Sequence, residues 1–221
     1  MEKQKYAAIV LAAGSGKRMN SQVHKQYLII QDRPVLYYSL KEFQDSAVDE
    51  IVLVVGKGEE EFCRREIVDK YGISKVKAIV EGGKERYHSV FEGLKQTSDA
   101  DYVLIHDGAR PFVNQDIIRR CMLEVPEYQA CVVGMPVKDT IKIADEEGYA
   151  KQTPDRKNVW MIQTPQTFSY ALIYEAYEEM LKTEDAAITD DAMVLERTKG
   201  KKSKLIEGSY RNIKITTPED L

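Results

Sequence analysis

The chain has 221 residues, of which 43% are hydrophobic, and its formal net charge is −4. This length and composition predict one large domain with one substantial core. The net negative charge argues against a general nucleic-acid or acidic-membrane binder, which usually carries a surplus of basic residues, so we expect any phosphate site to be a local basic pocket.

The N-terminal residues and the hydropathy pattern indicate a cytoplasmic protein. The first six residues mix acidic and basic side chains, unlike a signal peptide, and no apolar run approaches membrane-spanning length. The cysteines Cys63, Cys121 and Cys131 are odd in number and widely separated. This pattern predicts buried thiols rather than disulfides or a zinc site.

Short apolar runs alternate with amphipathic segments along the first two thirds of the chain. The runs are 7–13, 51–55, 76–80, 102–105 and 131–137, and the segments predicted as helices between them are 34–43, 59–71 and 85–94. The alternation predicts an α/β fold, with a Rossmann-like, mostly parallel sheet and helices on both faces. Ligands bind beyond the carboxyl ends of such strands, and Gly14 and Asp107 each follow a predicted strand, so we expect both at one crevice.

The first predicted strand leads into a loop of small and basic residues. Gly14 and Gly16 allow backbone N–H groups to approach a ligand, and Arg18 and Lys25 bring positive charge, which predicts a phosphate-handling loop. Met19 breaks the dinucleotide-binding fingerprint, and Arg18 occupies the position where a Walker loop needs Ser or Thr. An ordinary strand-to-helix turn with solvated cations is the alternative.

Two further loops follow predicted strands. Asp107 could hold Mg²⁺, because phosphates and waters complete the octahedron around a single carboxylate, although an ion pair with Arg110 that fixes the turn is the alternative. His106 is predicted to be a strand residue rather than a base. The turn at 82–83 could admit a base or ribose close to its backbone, or could be a tight turn with Ser89 on the helix surface.

The last third contains a predicted hairpin and two predicted helices. Residues 139–156 alternate weakly around an acidic turn and predict a projecting β-arm, which either needs a partner surface or is a mobile excursion. An apolar stripe over 172–181 predicts a core-facing helix. The run 189–191 indicates a helix N-cap with first-turn acids rather than metal ligands.

Seven of these short motifs, taken together, closely resemble the 2-C-methyl-D-erythritol 4-phosphate cytidylyltransferase family. They occur in the family's order over nearly the whole chain, at 11–19, 25–27, 82–86, 106–111, 137–140, 164–166 and 212–214. The resemblance implies the reaction of CTP with 2-C-methyl-D-erythritol 4-phosphate to give 4-diphosphocytidyl-2-C-methyl-D-erythritol and pyrophosphate, in non-mevalonate isoprenoid synthesis. It also implies Mg²⁺ as a cofactor, no nucleic-acid or membrane partner, and a homodimer.

The same resemblance implies roles for individual residues. The catalytic residues are expected to be Arg18, Lys25, Arg156 and Lys214. The nucleotide is expected to contact Ala12, Ala13, Gly14, Gly16, Gly83, Lys84, Ser89, Asp107 and Gly108, with Asp107 also near Mg²⁺. The polyol phosphate is expected to contact Arg110, Asp139, Thr140, Arg156, Thr164 and Lys214. In the family's dimer the β-arms are exchanged, so Thr140 and Arg156 are expected to contribute to the site of the neighbouring subunit. The whole chain, 1–221, is expected to form a single domain.

Two positions depart from the family pattern. Gly108 stands where many members have Ala, which is expected to remove a methyl group beside the cytidine. Lys84 replaces an acid found in some members, so its nucleotide contact is expected through the backbone.

Two other functions stay open at this point. A ribitol 5-phosphate cytidylyltransferase would share the first loop, the Lys-Gln-aromatic motif and the Thr-Pro-Gln segment. A non-catalytic nucleotide-binding protein is the alternative from another class, but such a protein is expected to have lost some of the charged site positions, all of which are present here.

Overall fold

The structure is a computed structural model that describes residues 3–14, 24–183 and 188–220. Its strands are β1 Tyr6–Ala12, β2 Ile29–Ile30, β3 Arg33–Pro34, β4 Glu50–Val55, β5 Val76–Glu81, β6 Tyr102–Asp107, β7 Ala130–Pro136, β8 Ile143–Ala144, β9 Ala150–Gln152, β10 Trp160–Ser169 and β11 Lys204–Glu207. Its helices are α1 Val35–Asp45, α2 Glu60–Cys63, α3 Arg86–Leu94, α4 Gln115–Tyr128, α5 Tyr170–Met180 and α6 Asp191–Lys199.

Seven of these strands form the central sheet, in the order β11-β7-β10-β6-β1-β4-β5. Strand β1 lies between β4 and β6 and is parallel to both, β4 is parallel to β5, and β11 is parallel to β7. Strand β10 runs antiparallel to β6 and β7. The predicted mostly parallel sheet is therefore confirmed, with one reversed strand inserted between two parallel ones.

Alternate side chains of β1 enter two separate cores, one on each face of the sheet. Ala8 and Val10 pack with residues of α1, α2 and α4, whereas Ala7 and Ile9 pack with residues of α3, α5 and α6. This period of two is the geometry of an extended strand buried on both faces. The prediction of helices on both faces is confirmed.

The helix predicted over 59–71 is present but changes its hydrogen-bonding pattern along its length. It begins as α2 and continues as a π-helix over Arg64–Asp69. The N-cap interpretation of 189–191 is confirmed, because Asp190 Oδ1 accepts a hydrogen bond from Met193 N at 2.8 Å. All three cysteines are buried free thiols, as predicted. In the described part of the chain, no helix is long and apolar enough to cross a membrane.

The hairpin predicted at 139–156 is present as the antiparallel pair β8 and β9. Its turn is fixed by Asp145, whose Oδ1 accepts hydrogen bonds from the N–H groups of Glu147 and Tyr149 at 3.1 and 2.9 Å. Gly148 adopts a φ of 89°, a conformation that favours glycine. Both strands are exposed along their whole length, so the hairpin has little packing of its own to stabilise it.

Gly93 offers a test of how closely α3 packs on the sheet. A Cβ at this position would lie 2.5 Å from Ile9 Cγ2 and 3.2 Å from Val54 Cγ2. Gly93→Ala should therefore lower the free energy of unfolding by about 1–3 kcal/mol, although alanine raises helix propensity by up to about 1 kcal/mol. Urea unfolding measures the difference.

The matched control is the double variant Ile9→Ala/Gly93→Ala. Truncation of Ile9 removes the clashing methyl group, so the double variant should lose less stability than the sum of the two single variants. Additive losses, or a stabilised Gly93→Ala protein, would contradict the packing described here.

Candidate active site

A crevice of about 330 Å³ lies beyond the carboxyl ends of β1, β5 and β6. Its lining comes from residues 11–14 after β1, from 83–86 and Ser89 after β5, and from Asp107 and Ala109 after β6. Lys25, Gln26 and Lys214 complete the lining. The expected convergence of Gly14 and Asp107 at one crevice is confirmed.

The loop after β1 presents backbone and small side chains to the crevice. Ala12, Ala13 and Gly14 all line it, as expected for nucleotide contacts. Gln26 is buried and its Nε2 donates to the carbonyl oxygen of Ala12 at 2.5 Å, which fixes the end of β1. The predicted site residues Gly16 and Arg18 lie outside the described residues.

The glycine turn after β5 is in close contact with the first loop. A Cβ at Gly82 would lie 2.5 Å from the Cβ of Ala13, so only glycine allows this approach. Gly83 N donates to Ser89 Oγ at 3.1 Å, and Gly83 and Lys84 line the crevice. Ser89 is buried, so its interpretation as an ordinary surface residue is wrong. Its hydroxyl holds the turn.

Asp107 stands at the centre of a cluster of positive charges. Its Oδ2 lies 2.8 Å from Lys214 Nζ and 3.8 Å from Arg110 Nε, and its Oδ1 lies 3.4 Å from Arg86 Nε. Burial alone would raise the pKa of the Asp107 carboxyl, but these three cations outweigh burial and hold the pKa well below its usual range. Asp107 is therefore ionised at neutral pH. The predicted ion pair with Arg110 is present, as one member of a larger cluster.

Arg86 connects this cluster to the N-terminus of α6. Its Nη1 and Nη2 donate to Oδ1 and Oδ2 of Asp191 at 2.7 and 2.8 Å, a bidentate pair. Tyr177 also donates to Asp191, and Gln166 Oε1 accepts from the backbone N–H of Asp191. Asp191 is fully buried, so its charge depends on Arg86 for compensation.

The residues predicted for the site did not include Gln26, Arg86 or Asp191. Arg86 and Gln26 lie inside recognised motifs, which was the available signal. Asp191 was interpreted only as a first-turn acid, since its partner lies 105 residues away in the sequence.

A second cavity of about 240 Å³ adjoins the crevice and shares Arg86, Asp107 and Lys214 with it. Arg110 and Thr164, two of the residues expected to contact the polyol phosphate, also line this cavity. Arg110 is oriented by a hydrogen bond from its Nη1 to the carbonyl oxygen of Asn212 at 2.8 Å. The structure therefore brings three of the predicted substrate residues, Arg110, Thr164 and Lys214, to one cavity wall.

His106 and Thr164 fix the carboxyl end of β6. Thr164 Oγ1 accepts from the backbone N–H of Asp107 at 3.0 Å and lies 3.0 Å from His106 Nδ1. His106 is fully buried, and burial lowers its pKa to about 4. The prediction that His106 is a strand residue is confirmed.

Gly108 packs closely against α1 and the end of β1. A Cβ on Gly108 would lie 2.7 Å from Leu36 Cδ1 and 3.0 Å from the carbonyl oxygen of Leu11. A methyl group at this position would therefore point toward α1 and β1. That its absence is felt beside the cytidine stays a prediction. Its N–H donates to Leu11 O at 2.8 Å, and its own carbonyl oxygen accepts from Ser39 Oγ at 3.4 Å.

Neither cavity of this chain is lined by Asp139, Thr140 or Arg156. All three are exposed at the base of the β8–β9 hairpin, and Arg156 Nη1 donates to the carbonyl oxygen of Lys138 at 2.7 Å. Within one chain the structure does not bring them to Lys25 or Lys214.

The side chains at the crevice suit a cation that is coordinated mainly by a bound phosphate compound and by water. The described residues contain no group of three His, Cys, Asp or Glu side chains that could hold a metal ion by themselves. Asp107 Oδ1 makes only the 3.4 Å contact to Arg86 Nε within the described part of the chain, so it retains acceptor capacity. A single carboxylate of this kind fits Mg²⁺ when phosphate oxygens and waters supply the other ligands.

Comparison with known proteins finds one family over almost the whole length of the chain. The family model described as IspD, 2-C-methyl-D-erythritol 4-phosphate cytidylyltransferase, matches residues 6–221. The protein of that name from Lachnospira eligens is 54% identical, covering 97% of this chain and 95% of its own, and that from Lachnoclostridium phytofermentans is 51% identical, covering 99% and 94%. The solved 4-diphosphocytidyl-2C-methyl-D-erythritol synthase of Anaerococcus prevotii DSM 20548 is 37% identical, with a TM-score of 0.85 and coverage of 98% and 92%.

Asp191→Asn tests the importance of the buried pair with Arg86. The substitution keeps the shape of the side chain but leaves the guanidinium without its main counter-charge, so the free energy of unfolding should fall by about 3 kcal/mol. Chemical denaturation measures this loss.

Glu179→Gln serves as the matched control. Glu179 forms an exposed pair with Lys199 at 3.0 Å, for which a loss below about 1 kcal/mol is expected. If Asp191→Asn and Glu179→Gln lower the free energy of unfolding by the same amount, Arg86 is not held by the charge of Asp191.

Proposed function

The chain belongs to the 2-C-methyl-D-erythritol 4-phosphate cytidylyltransferase family, and we propose that its crevice and the adjoining cavity bind the two substrates of that reaction. The activity is transfer of the cytidylyl group from CTP to 2-C-methyl-D-erythritol 4-phosphate, with release of pyrophosphate. The observation that carries the assignment of the two sites is the wall that the cavities share, formed by Arg86, Asp107 and Lys214.

CTP occupies the crevice in this proposal. The loops at 12–14 and 83–84 offer small residues whose backbone can approach a base, a ribose and phosphates closely. Lys25 and Lys214 add positive charge to the same lining, and Lys25 Nζ is held by the carbonyl oxygen of Ile215 at 3.0 Å. Arg18 is proposed to act on the triphosphate as well, from the resemblance alone.

The polyol phosphate occupies the adjoining cavity. Arg110 and Lys214 supply charges that suit a phosphate, and Thr164 lines the same space. Because both cavities end at the shared wall, two bound anions would meet there. Lys214 and Arg86 lie where the negative charges of the two substrates come together.

The reaction needs positioning and charge stabilisation rather than an activated protein nucleophile. An oxygen of the substrate phosphate, already ionised, attacks the α-phosphorus of CTP, and the bond from that phosphorus to the bridging oxygen of the β-phosphate breaks. Negative charge develops on the five-coordinate phosphorus and on the leaving pyrophosphate, where fixed cations stabilise it. His106 has no part in these steps, because its side chain is fully buried and lines neither cavity.

We propose Mg²⁺ as a cofactor, with Asp107 as its protein ligand. The acceptor capacity of Oδ1 and its position in the crevice lining support this assignment. The ion supplies charge neutralisation on the triphosphate. The cytoplasmic location and the absence of a nucleic-acid partner stay predictions.

We also propose a homodimer in which the β8–β9 hairpin reaches the partner. Tyr149 is 70% exposed and Ile143 is 45% exposed on a hairpin without packing of its own, which favours burial against a second copy. Thr140 and Arg156 would then contribute to the partner's polyol-phosphate site. Their absence from the cavity linings of their own chain agrees with this arrangement.

The two alternatives are not favoured. The two relatives described above are named for 2-C-methyl-D-erythritol 4-phosphate and the solved structure for the cytidylyl product, and none of the three is named for ribitol phosphate. Lys25, Asp107 and Lys214 meet at one crevice, which is not the pattern of a decayed nucleotide-binding site.

Pyrophosphate release tests the reaction directly. With CTP and Mg²⁺, the protein should release pyrophosphate with 2-C-methyl-D-erythritol 4-phosphate and not with ribitol 5-phosphate, because the contacts to the polyol decide whether its phosphate is positioned for attack. A coupled phosphate assay in parallel wells measures both. Release with ribitol 5-phosphate alone, or with neither compound, would contradict the proposal.

Mixed dimers test the exchanged arms. Lys25→Met and Arg156→Ala should each be nearly inactive, but a mixture of the two should regain up to about a quarter of the wild-type activity, because half of the dimers are mixed and half of their sites are intact. The rate of pyrophosphate release after co-refolding measures the recovery.

A mixture of Lys25→Met with Lys214→Ala is the control for this experiment. Both of these residues line the crevice of the same chain, so no mixed dimer contains an intact site and activity should not return. Equal recovery in both mixtures, or no recovery in either, would contradict arm exchange.

A further inference from the structure

One carboxylate contacts a side chain on each side of Lys25 in the sequence, those of His24 and Tyr27. Lys25 begins a single 3-10 turn, Lys25–Tyr27. Glu59 Oε1 lies 2.7 Å from Nδ1 of His24, and Glu59 Oε2 accepts a hydrogen bond from the hydroxyl of Tyr27 at 2.7 Å. The side chain of Glu59 therefore holds the turn on both sides of Lys25.

The carboxylate is itself anchored to the central sheet. Oε2 of Glu59 also accepts from the backbone N–H of Gly56 at 3.0 Å, directly after β4. A Cβ at Gly56 would lie 2.6 Å from this oxygen, so the absence of a side chain there allows the carboxylate its position. The backbone N–H of Glu59 returns a hydrogen bond to Gly56 O at 3.0 Å. Glu59 thus links the turn to a fully buried strand.

The hydroxyl of Tyr27 remains a donor in this arrangement. Burial, together with hydrogen bonds to Cys63 and Glu59, raises the pKa of Tyr27 well above its usual range. Burial also raises the pKa of Cys63 to about 11, so its thiol stays protonated 3.0 Å from the Tyr27 oxygen. The link from Tyr27 to Glu59 is therefore a hydrogen bond between a neutral phenol and an acceptor.

Glu59 differs from the residues assigned to the site because it is not part of the crevice lining. Lys25 is in that lining, and its Nζ donates to Ile215 O at 3.0 Å. The opposite side of the turn is held by Gln26, which donates to Ala12 O. With both sides held, the backbone of Lys25 has little freedom, and its ammonium group is placed before substrates bind.

We propose that Glu59 is a positioning residue for Lys25. Glu59 acts through the side chains of His24 and Tyr27, which lie on either side of Lys25, and does not touch a substrate. This inference rests on the proposed role of Lys25 in cytidylyl transfer. A fixed ammonium group stabilises charge in the transition state without reorganisation, whereas a mobile one must be ordered at the moment of reaction.

The test compares Glu59→Met with the matched control Glu61→Met, which removes an exposed carboxylate from α2, the helix that Glu59 precedes. Glu59→Met should lower kcat about 10- to 100-fold, since small misplacements have effects of this size, and leave KM for CTP and for the polyol phosphate within about twofold. Glu61→Met should keep the wild-type kcat. Glu59→Gln should lie between wild type and Glu59→Met, because its carbonyl oxygen can still accept from Tyr27 and Gly56.

A double-mutant cycle separates positioning from general damage to the fold. In a Lys25→Met background, Glu59→Met should change the residual kcat by less than about twofold, because the group that it positions is gone. A full additional loss in that background would overturn the proposal, and so would a wild-type kcat for Glu59→Met.

Amide hydrogen exchange gives a readout that does not depend on turnover. The N–H groups of Tyr27 and Leu28 donate to His24 O and Lys25 O, and their exchange should be faster in Glu59→Met and unchanged in Glu61→Met. If the wild-type protein released no pyrophosphate, the proposed function would fail while this exchange result could still stand. Unchanged exchange in Glu59→Met would contradict the proposal that Glu59 holds the turn.

Discussion

The contacts of the partly buried guanidinium of Arg86 are the interaction on which the geometry of the site depends. It pairs in a bidentate manner with Asp191 at the start of α6 and lies 3.4 Å from Asp107 at the end of β6, while its own backbone begins α3. Three elements therefore share one charge. Burying such charges is favourable only when each is compensated in good geometry, so the relative positions of these elements are tightly constrained. Arg86, Arg110 and Lys214 outnumber the carboxylates Asp107 and Asp191, and the positive surplus faces the space where phosphates are proposed to bind.

Close backbone packing is the second constraint on the crevice. The turn after β5 touches the loop after β1 because neither Gly82 nor Ala13 has a bulky side chain. Ser89 then holds the turn from α3, by contacts with Gly83 and Glu85. The result is a lining in which small residues allow close approach and the charges come from a few long side chains. This division suits recognition of a nucleotide mainly through backbone groups.

The sequence predicts the parallel part of the sheet well, because β1, β4 and β6 contain continuous apolar runs, each followed within two residues by glycine or aspartate. Strand β10 was missed, since its buried stretch is largely polar and includes Gln163, Thr164, Gln166 and Thr167. Strand β11 was missed because it is short and mostly exposed. At the site, glycines and cations that follow strands could be recognised one motif at a time. The pairing of Arg86 with Asp191 could not, because no local pattern encodes a contact over 105 residues.

Residues 212–215 connect these features although they form no regular element. The carbonyl oxygen of Asn212 orients Arg110, Lys214 pairs with Asp107, and the carbonyl oxygen of Ile215 accepts from Lys25. The segment is held in turn by Asn212 Nδ2, which donates to Thr164 O at 2.9 Å, and by Ile215 N, which donates to Ala109 O at 2.9 Å. Each cation is therefore fixed by an acceptor that is fixed itself, and this is how preorganised charge is built without periodic structure. Lys25 and Arg110 depend on backbone oxygens of residues 212–215. The site therefore needs the conformation of this segment as much as it needs the side chain of Lys214.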